Sequence, residues 1–338
     1  MRITSITPMK DEAPYILEWV AYHRLIGVND IIVFSNDCTD GTDQMLERLD
    51  EMGLLRHYPN PSMITGAERR HTHALRYLNS GARLRRSDWV ASLDVDEYIC
   101  VNAGAGRLED LFAAAEGANV IYMNQHNFGS GGAERFDDVL TTDRFRHAWA
   151  KDAAYHRKVN RRGVKTITHR SAEPTAWHNH SPIFDGDRLD LVHAVNGSGK
   201  PIDKTAIDIS KDVKSLTALD YGFDLVQLNH YALRSLEDYL LKVARGNANH
   251  NDFGDELHYW RRYEHNDLLD ENITRWLPDL ADAHAELLKD AELRQLHEGA
   301  VARARARAAE LRAAPGMRKL VNRLLRFQAR NPVEAAPA

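Results

Sequence analysis

The chain has 338 residues, 43% of them hydrophobic and 28% charged, with a formal net charge of −5. That is long enough for two domains or one large one, and so mild a charge excludes whole-chain attraction to nucleic acid. Two cysteines, Cys38 and Cys100, exclude a disulfide framework and a thiolate zinc site and read as reduced thiols. Met1-Arg2-Ile3 opens no basic-then-apolar leader and no apolar run approaches about 18 residues, so a cytoplasmic protein without a membrane span is expected.

In chain order, Arg2 to Pro8 is rich in β-branched residues and reads as a first strand, with Lys10, Asp11 and Glu12 at its carboxyl end. Pro14 suits a helix start. Ile16, Leu17, Val20, Leu25 and Ile26, with Trp19 and Tyr22, repeat at helical period up to Gly27, a C-cap. Ile31 to Phe34 is a second strand. Ser35 to Thr42 is a loop of turn formers able to cap a helix over Asp43 to Glu51. Leu54 to Tyr58 reads as a third strand and Ala67 to Leu84 as a helix carrying Arg69, Arg70, His71, His73 and Arg76.

The apolar run Trp89 to Leu93 then stops abruptly at Asp94-Val95-Asp96-Glu97. A buried strand of a parallel sheet reads as such a run, and ligands bind beyond the carboxyl ends of strands in open α/β sheets. Three acids there repel one another unless something positive sits among them. Two readings follow: a site for a hard divalent cation and a nucleotide diphosphate, or a solvated acidic turn. The first hundred residues alternate β-α-β-α-β-α-β, which implies a mostly parallel sheet flanked by helices. Polar strand ends at Lys10 to Glu12, Asn36 to Asp40 and Asp94 to Glu97 converge on one edge, which favours the site.

Arg107 to Glu116 reads as a helix. Val120 to Met123 reads as a strand entering Asn124-Gln125-His126-Asn127 and a Gly-rich loop, Phe128 to Gly132. Residues 141–170 are basic and include Arg144, Lys158 and Lys165. Leu225 to Tyr231 is another strand, and Ser235 N-caps a helix from Leu236 to Arg245. The tail from about 280 is helical by composition. Between 300 and 330 it carries nine Arg or Lys against one acid, leaving −13 for the rest. Met317, Leu320, Val321, Leu324 and Leu325 form a stripe opposite Arg318, Lys319, Arg323 and Arg326. Such a helix lies on an anionic membrane surface or packs its stripe on the protein. The expected division is 1–250 for the α/β part and 251–338 for a helical extension with a basic tail.

A set of blocks in this order resembles a known family. They are Lys10-Asp11-Glu12, Glu18-Trp19-Val20, Tyr22-His23, Gly27-Val28, Ile32 to Thr42, Asp94-Val95-Asp96-Glu97-Tyr98, Phe128-Gly129-Ser130-Gly131, Lys165-Thr166-Ile167 and His230-Tyr231 with Ser235 and Lys242 to Gly246. Together they are similar to glycosyltransferases of the GT-A type, in the family 2-like and family 92-like branch, whose DxD motif Asp94-Val95-Asp96 matches. The family commonly has Asn where Asp11 stands and an aromatic where His126 stands.

The resemblance implies a GT-A, Rossmann-like α/β fold and a nucleotide-sugar donor, a UDP-sugar being favoured. It implies transfer to the hydroxyl of a glycan or lipid-linked acceptor in cell-surface polysaccharide or glycolipid assembly. It implies Mn²⁺ or Mg²⁺ held by Asp94, Asp96 and His230, since a cation stabilises charge on the leaving diphosphate. Lys10, Glu12, Asp37, Asp40, Asp94 and Lys165 would contact the nucleotide. His126 and Ser130 would lie on the acceptor side. Glu97 is the candidate general base, or else it orients the metal site. The basic tail, 317–330, would place the protein on the inner membrane face. A nucleotidyltransferase and a non-catalytic nucleotide- or sugar-binding module are the competing classes. The first ordinarily carries a Gly-rich basic loop where Lys10-Asp11-Glu12 stands, and intact Asp94 and Asp96 argue against the second.

Overall fold

The structure is a computed structural model and describes residues 1–66, 70–80, 84–151, 161–207, 209–217, 220–246, 255–331 and 333. Arg69 and Lys158, and the side chains of Arg70 and His71, lie outside what is described.

Strands β1 (Ile3–Met9), β2 (Asp30–Ser35) and β3 (Arg56–Pro59) alternate with helices α1 (Ile16–Leu25) and α2 (Thr42–Glu51). Helices α3 (Ser62–Thr65) and α4 (Arg70–Ser80) lead to β4 (Trp89–Ser92), a tight turn and β5 (Glu97–Val101). Then come α5 (Leu108–Ala114), β6 (Val120–Asn127), α6 (Thr141–Arg144), β7 (His147–Ala148), β8 (Arg161–His169), β9 (Ala194–Asn196), β10 (Ser215–Thr217) and β11 (Val226–His230). Helices α7 (Leu236–Arg245) and α8 (Glu256–Tyr263), strand β12 (Leu268–Leu269) and helices α9 (Leu277–Leu287), α10 (Ala291–Ala313) and α11 (Pro315–Arg330) follow.

The main sheet runs β3-β2-β1-β4-β8-β6-β11-β5, with β10 beside β8 and β9 beside β6. From β3 to β4 every pairing is parallel, as the βαβ alternation requires. Strand β8 is inserted antiparallel between β4 and β6. β11 runs parallel to β6 and antiparallel to β5. This is the expected mostly parallel α/β sheet flanked by helices. Four of its strands, β5, β8, β9 and β10, were not legible in advance. β8 looked like a basic stretch, yet Arg162 and Lys165 are wholly buried within it. Arg162 stacks near Trp149, Tyr221 and Phe223, while Val164 and Ile167 supply the apolar burial. β5 was hidden because it begins on an acid of the turn itself.

Helix α1 is apolar all round because both its faces are covered, by β5 on one side and α9 on the other. Trp19 Nε1 donates to the Glu97 carbonyl at 3.1 Å and Tyr22 Oη to that of Ile99 at 2.9 Å. These bonds seat β5, and with it the acidic turn, against α1. The segment from Ile273 through helices α9 and α10 shares the main core: Ile273, Trp276, Leu280, Leu293 and Ala300 pack into it. On α10, Arg303 donates to the Asp40 carbonyl and lies where a Cβ on Gly41, at φ +99°, would clash. On α11, Val321 and Leu324 are buried, with Met317, Leu320 and Leu325 beside them, against α7 and α8 side chains. Of the two readings of the tail's stripe, packing on the protein is therefore the one present.

Candidate active site

Four parallel strands, β1, β4, β6 and β11, with the loops that follow them, and helix α7 deliver side chains to a cleft of about 420 Å³ lined by Lys10, Glu12, Asp94, Asp96, Gln125, His230 and Lys242, among others. The turn after β4 is closed by the Glu97 N–H donating to the Asp94 carbonyl at 3.0 Å. It is tied to the end of β11 by the Tyr231 N–H donating to the Asp96 carbonyl at 2.8 Å. Backbone bonds thus fix the two aspartates relative to His230.

Each aspartate is met by a lysine. Lys165 Nζ reaches Asp94 Oδ2 at 3.0 Å and Glu97 Oε2 at 2.9 Å, and also donates to Asn179. Lys242 Nζ, from α7, reaches Asp96 Oδ2 at 2.7 Å and the Ala232 carbonyl at 2.8 Å. Burial pushes Asp96 toward the neutral acid, but Lys242, His230 and Arg234 outweigh it and hold the carboxyl far below the usual range. Burial lowers Lys242 and Lys165 as well, and their carboxylate partners more than restore them.

His230 donates from Nδ1 to Asn127 Oδ1 at 2.7 Å, which leaves Nε2 as a bare lone pair 3.8 Å from Asp96 Oδ2. Burial lowers this imidazole to about 4, so it is neutral in ordinary buffers. A neutral ring oriented by its other nitrogen toward a carboxylate oxygen is the disposition of a metal-ligating histidine. Asp96 and His230 thus fit a divalent cation, with Asp94 on the same turn. Among the described residues no three His, Cys, Asp or Glu side chains make a complete cage.

Glu97 is 1% exposed. Its carboxylate accepts the Asp94 N–H at 2.9 Å and Gln125 Nε2 at 2.9 Å and pairs with Lys165. Burial raises it to about 7 against the pull of Lys165. Glu97 lines the cleft, and the bonds its two oxygens make run to the turn backbone, Gln125 and Lys165, so it orients the turn.

The other expected residues separate. Lys10 and Glu12 line the cleft. Glu12 pairs with Arg245 at 2.5 Å and Lys10 donates to the Arg245 carbonyl. Asp37 and Asp40 line a second cavity of which Lys10 and Glu12 are also walls, so these four expected nucleotide contacts meet there. Asp40 works as a turn former, accepting the N–H groups of Ala13 and Thr42 at 2.9 Å each. His126 is fully buried, its Nε2 3.3 Å from Asp270 Oδ2, among Phe128 and Phe223. Period two on β6 explains this: Gln125 and Asn127 share the cleft side and His126 takes the other. Ser130 is buried under Glu264 and Gln328, bonding the Gly-rich loop to the C-terminal helices. Neither His126 nor Ser130 lines the cleft. Lys242 and Arg245 entered only within the block Lys242 to Gly246, and Gln125 and Asn127 only within a polar strand end; none was given a role from the sequence. Strand parity was the available signal for Asn127 and Gln125, whereas Lys242 reaches Asp96 only through the placement of α7.

Residues 3–208 match the model of glycosyltransferase family 92. The chain belongs to this family. A family 92 glycosyltransferase protein of Oryza sativa subsp. japonica is 26% identical over 131 residues, covering 37% of this chain and 21% of the relative. One of Ricinus communis is 28% identical over 134 residues, covering 37% and 22%. The chain thus spans about a fifth of the length of these curated relatives. Among solved structures, S. aureus TarS (residues 1–349) is similar over 98% of this chain and 92% of its own, at 12% identity and TM-score 0.31. Mannosyl-3-phosphoglycerate synthase from Rubrobacter xylanophilus is similar over 38% and 41%, at 16% identity and TM-score 0.28.

Proposed function

We propose that this family 92 chain transfers a sugar from a nucleotide-diphosphate donor, a UDP-sugar first, to a hydroxyl of a glycan or lipid-linked acceptor. The observation that carries the reading is the facing pair Asp96 and neutral His230, beside Asp94, with Lys242 and Lys165 behind them. Asp96 and His230 would hold Mn²⁺ or Mg²⁺, Asp94 lying alongside. When bound, the cation neutralises charge building on the diphosphate as the glycosidic bond breaks.

The protein's own part is positioning. Lys242 supplies a fixed positive charge where the leaving diphosphate lies, and its three donors can be shared between Asp96 and phosphate oxygen. Lys165, with its ammonium wholly buried, acts through Asp94 and Asn179. Glu97, first considered as a base, is a positioning residue here: it holds Asp94's backbone and Lys165 in register. Asn127 fixes the His230 tautomer.

No helix among the described residues is long and apolar enough to cross a membrane. Because the stripe of 317–330 is occupied by packing, peripheral contact with an anionic leaflet would rest on the exposed Arg318, Lys319, Arg323, Arg326 and Arg330. That contact would suit lipid-linked glycan assembly.

Incubation with a panel of nucleotide sugars, acceptors and Mn²⁺ tests the reading. Release of free nucleotide diphosphate that vanishes in Asp96→Ala supports it. Pyrophosphate release would instead mark a nucleotidyltransferase, and nucleotide binding with no turnover on any acceptor would mark a binding module.

A further inference from the structure

Two groups of side chains flank the acidic turn in the cleft. Lys10, Glu12, Lys242 and Arg245 line the second cavity as well, whereas Gly163, Asn179, His180 and Lys214 line the cleft alone. Sheet order accounts for the division. β4, which carries the turn, lies between β1 and β8. Lys10 and Glu12 follow β1. On the other side, the antiparallel pairing of Ala91 with Ile167 brings Gly163 to Lys165 level with the turn, and the segment around His180 lies along that part of β8.

His180 is held there by backbone and by ring. Its carbonyl accepts the Thr166 N–H at 2.9 Å, and its Nδ1 lies 3.0 Å from the Val164 carbonyl oxygen. A carbonyl oxygen only accepts, so Nδ1 carries the hydrogen and Nε2 presents a lone pair. Nε2 has no hydrogen-bond partner among the described residues, and it is not sealed from solvent. The neighbouring Asn179 accepts from Lys165 Nζ and from Ser92 Oγ at 3.1 Å each, which ties the segment to the turn's own lysine. Burial and the Lys165 charge hold the ring below the usual histidine range, so it is neutral. Asp94 and Asp212 act the other way and favour the imidazolium once a proton has been taken up. The carboxylates of the cleft are committed: Asp94 and Glu97 to Lys165, Asp96 to Lys242 and Glu12 to Arg245.

We propose that His180 is the general base of the transfer, its Nε2 taking the proton of the acceptor hydroxyl. This rests on the transferase reading. As the proton passes to Nε2, the acceptor oxygen forms its bond to the anomeric carbon. The bond from that carbon to the diphosphate breaks, and its electron pair leaves with the diphosphate. The imidazolium then gives its proton to solvent. An inverting displacement needs the base on the face of the sugar away from the leaving group. Lys242 stands on the flank shared with the second cavity and His180 on the other, so the product should carry the inverted anomeric configuration.

His180→Asn isolates the role: its amide can still donate to the Val164 carbonyl, but the Nε2 lone pair is gone. The full chain is assayed with Mn²⁺, with UDP-glucose, UDP-galactose and UDP-N-acetylglucosamine as donors and a panel of p-nitrophenyl glycosides as acceptors. On the pair that wild type turns over, kcat should fall about 100-fold or more and the acidic limb of its pH profile should disappear. Calorimetric affinity for UDP with Mn²⁺ should stay within about twofold. Should the variant not fold, diethyl pyrocarbonate replaces it: loss of transfer by wild type should follow carbethoxylation of His180, mapped by mass spectrometry. Transfer kept within about tenfold in His180→Asn, UDP affinity lost along with kcat, transfer surviving full carbethoxylation of His180, or a retained anomeric configuration overturns this assignment and leaves the transferase reading standing. A wild type that transfers from no donor to any acceptor overturns both.

Discussion

The two cavities share a wall, Lys10, Glu12, Lys242 and Arg245, and differ in how their charges are paired. In the cleft every carboxylate of the acidic turn has a lysine, so the ligand-free state is electrically closed and a substrate must exchange partners with Lys242 or Lys165. In the second cavity Asp40 accepts two backbone N–H groups, Asp238 accepts two hydroxyls and Glu12 pairs with Arg245. The cleft is arranged to trade ion pairs as charge moves, whereas the acids of the second cavity are tied down within the fold. A reaction that breaks a bond to a diphosphate needs the first kind of site for the leaving group.

The comparison breaks most visibly at Asp96. Asp96→Ala should lower the rate of nucleotide release by about 1,000-fold, the several kcal/mol that charge stabilisation at the leaving group supplies, as measured by single-turnover assay. A loss under tenfold would mean that the facing Asp96–His230 pair is not where the chemistry is supported. Lys242→Met leaves Asp96 buried without its main partner. Chemical denaturation should show a loss of roughly 3 kcal/mol, as when one half of a buried pair is removed, and added Mn²⁺ should restore part of it. An undiminished midpoint would show that the cleft is not closed by ion pairing.

Asn127→Ala sharpens the metal side. Freed of its Nδ1 partner, His230 loses its fixed tautomer, and Mn²⁺ affinity measured by calorimetry should fall about 10- to 100-fold. Glu97→Gln keeps the bonds from Gln125 and Asp94 approximately in place. It should therefore retain turnover within roughly tenfold, where a general base would be lost far more deeply; a pH–rate profile unchanged in its acidic limb confirms the positioning role. The smallest effect belongs to the tail. Arg323→Ser should reduce flotation with anionic liposomes about fivefold, near 1 kcal/mol for one basic side chain; equal flotation removes the membrane contact.

Much of the first half was legible from the chain. The runs at Ile31 to Phe34 and Trp89 to Leu93, the Gly27 cap and the Ser235 cap are local statements, and local sterics and periodicity enforce them in any context. Asp94 and Asp96 stood out because acids directly after an apolar run carry a cost that needs an explanation. His126 was misplaced for a reason also written in the chain. Once β6 extends to Asn127, alternation turns His126 away, points Gln125 at the cleft and sets Asn127 on the same side, buried against His230. Strand β8 was not legible, because a buried Lys165 and Arg162 look like surface charge until their partners from other elements are known.

What the sequence determined alone is the set of βαβ elements, the acidic turn and a basic amphipathic tail, since each depends on neighbours a few residues away. The tertiary structure decided which charges are paired. Lys165 lies 71 positions from Asp94 and Lys242 lies 146 from Asp96. Arg234 reads as an ordinary arginine before a helix cap until Tyr15 and α10 close around it. Desolvation makes the difference: the same side chain is a solvated surface charge or a preorganised site according to what the fold buries beside it.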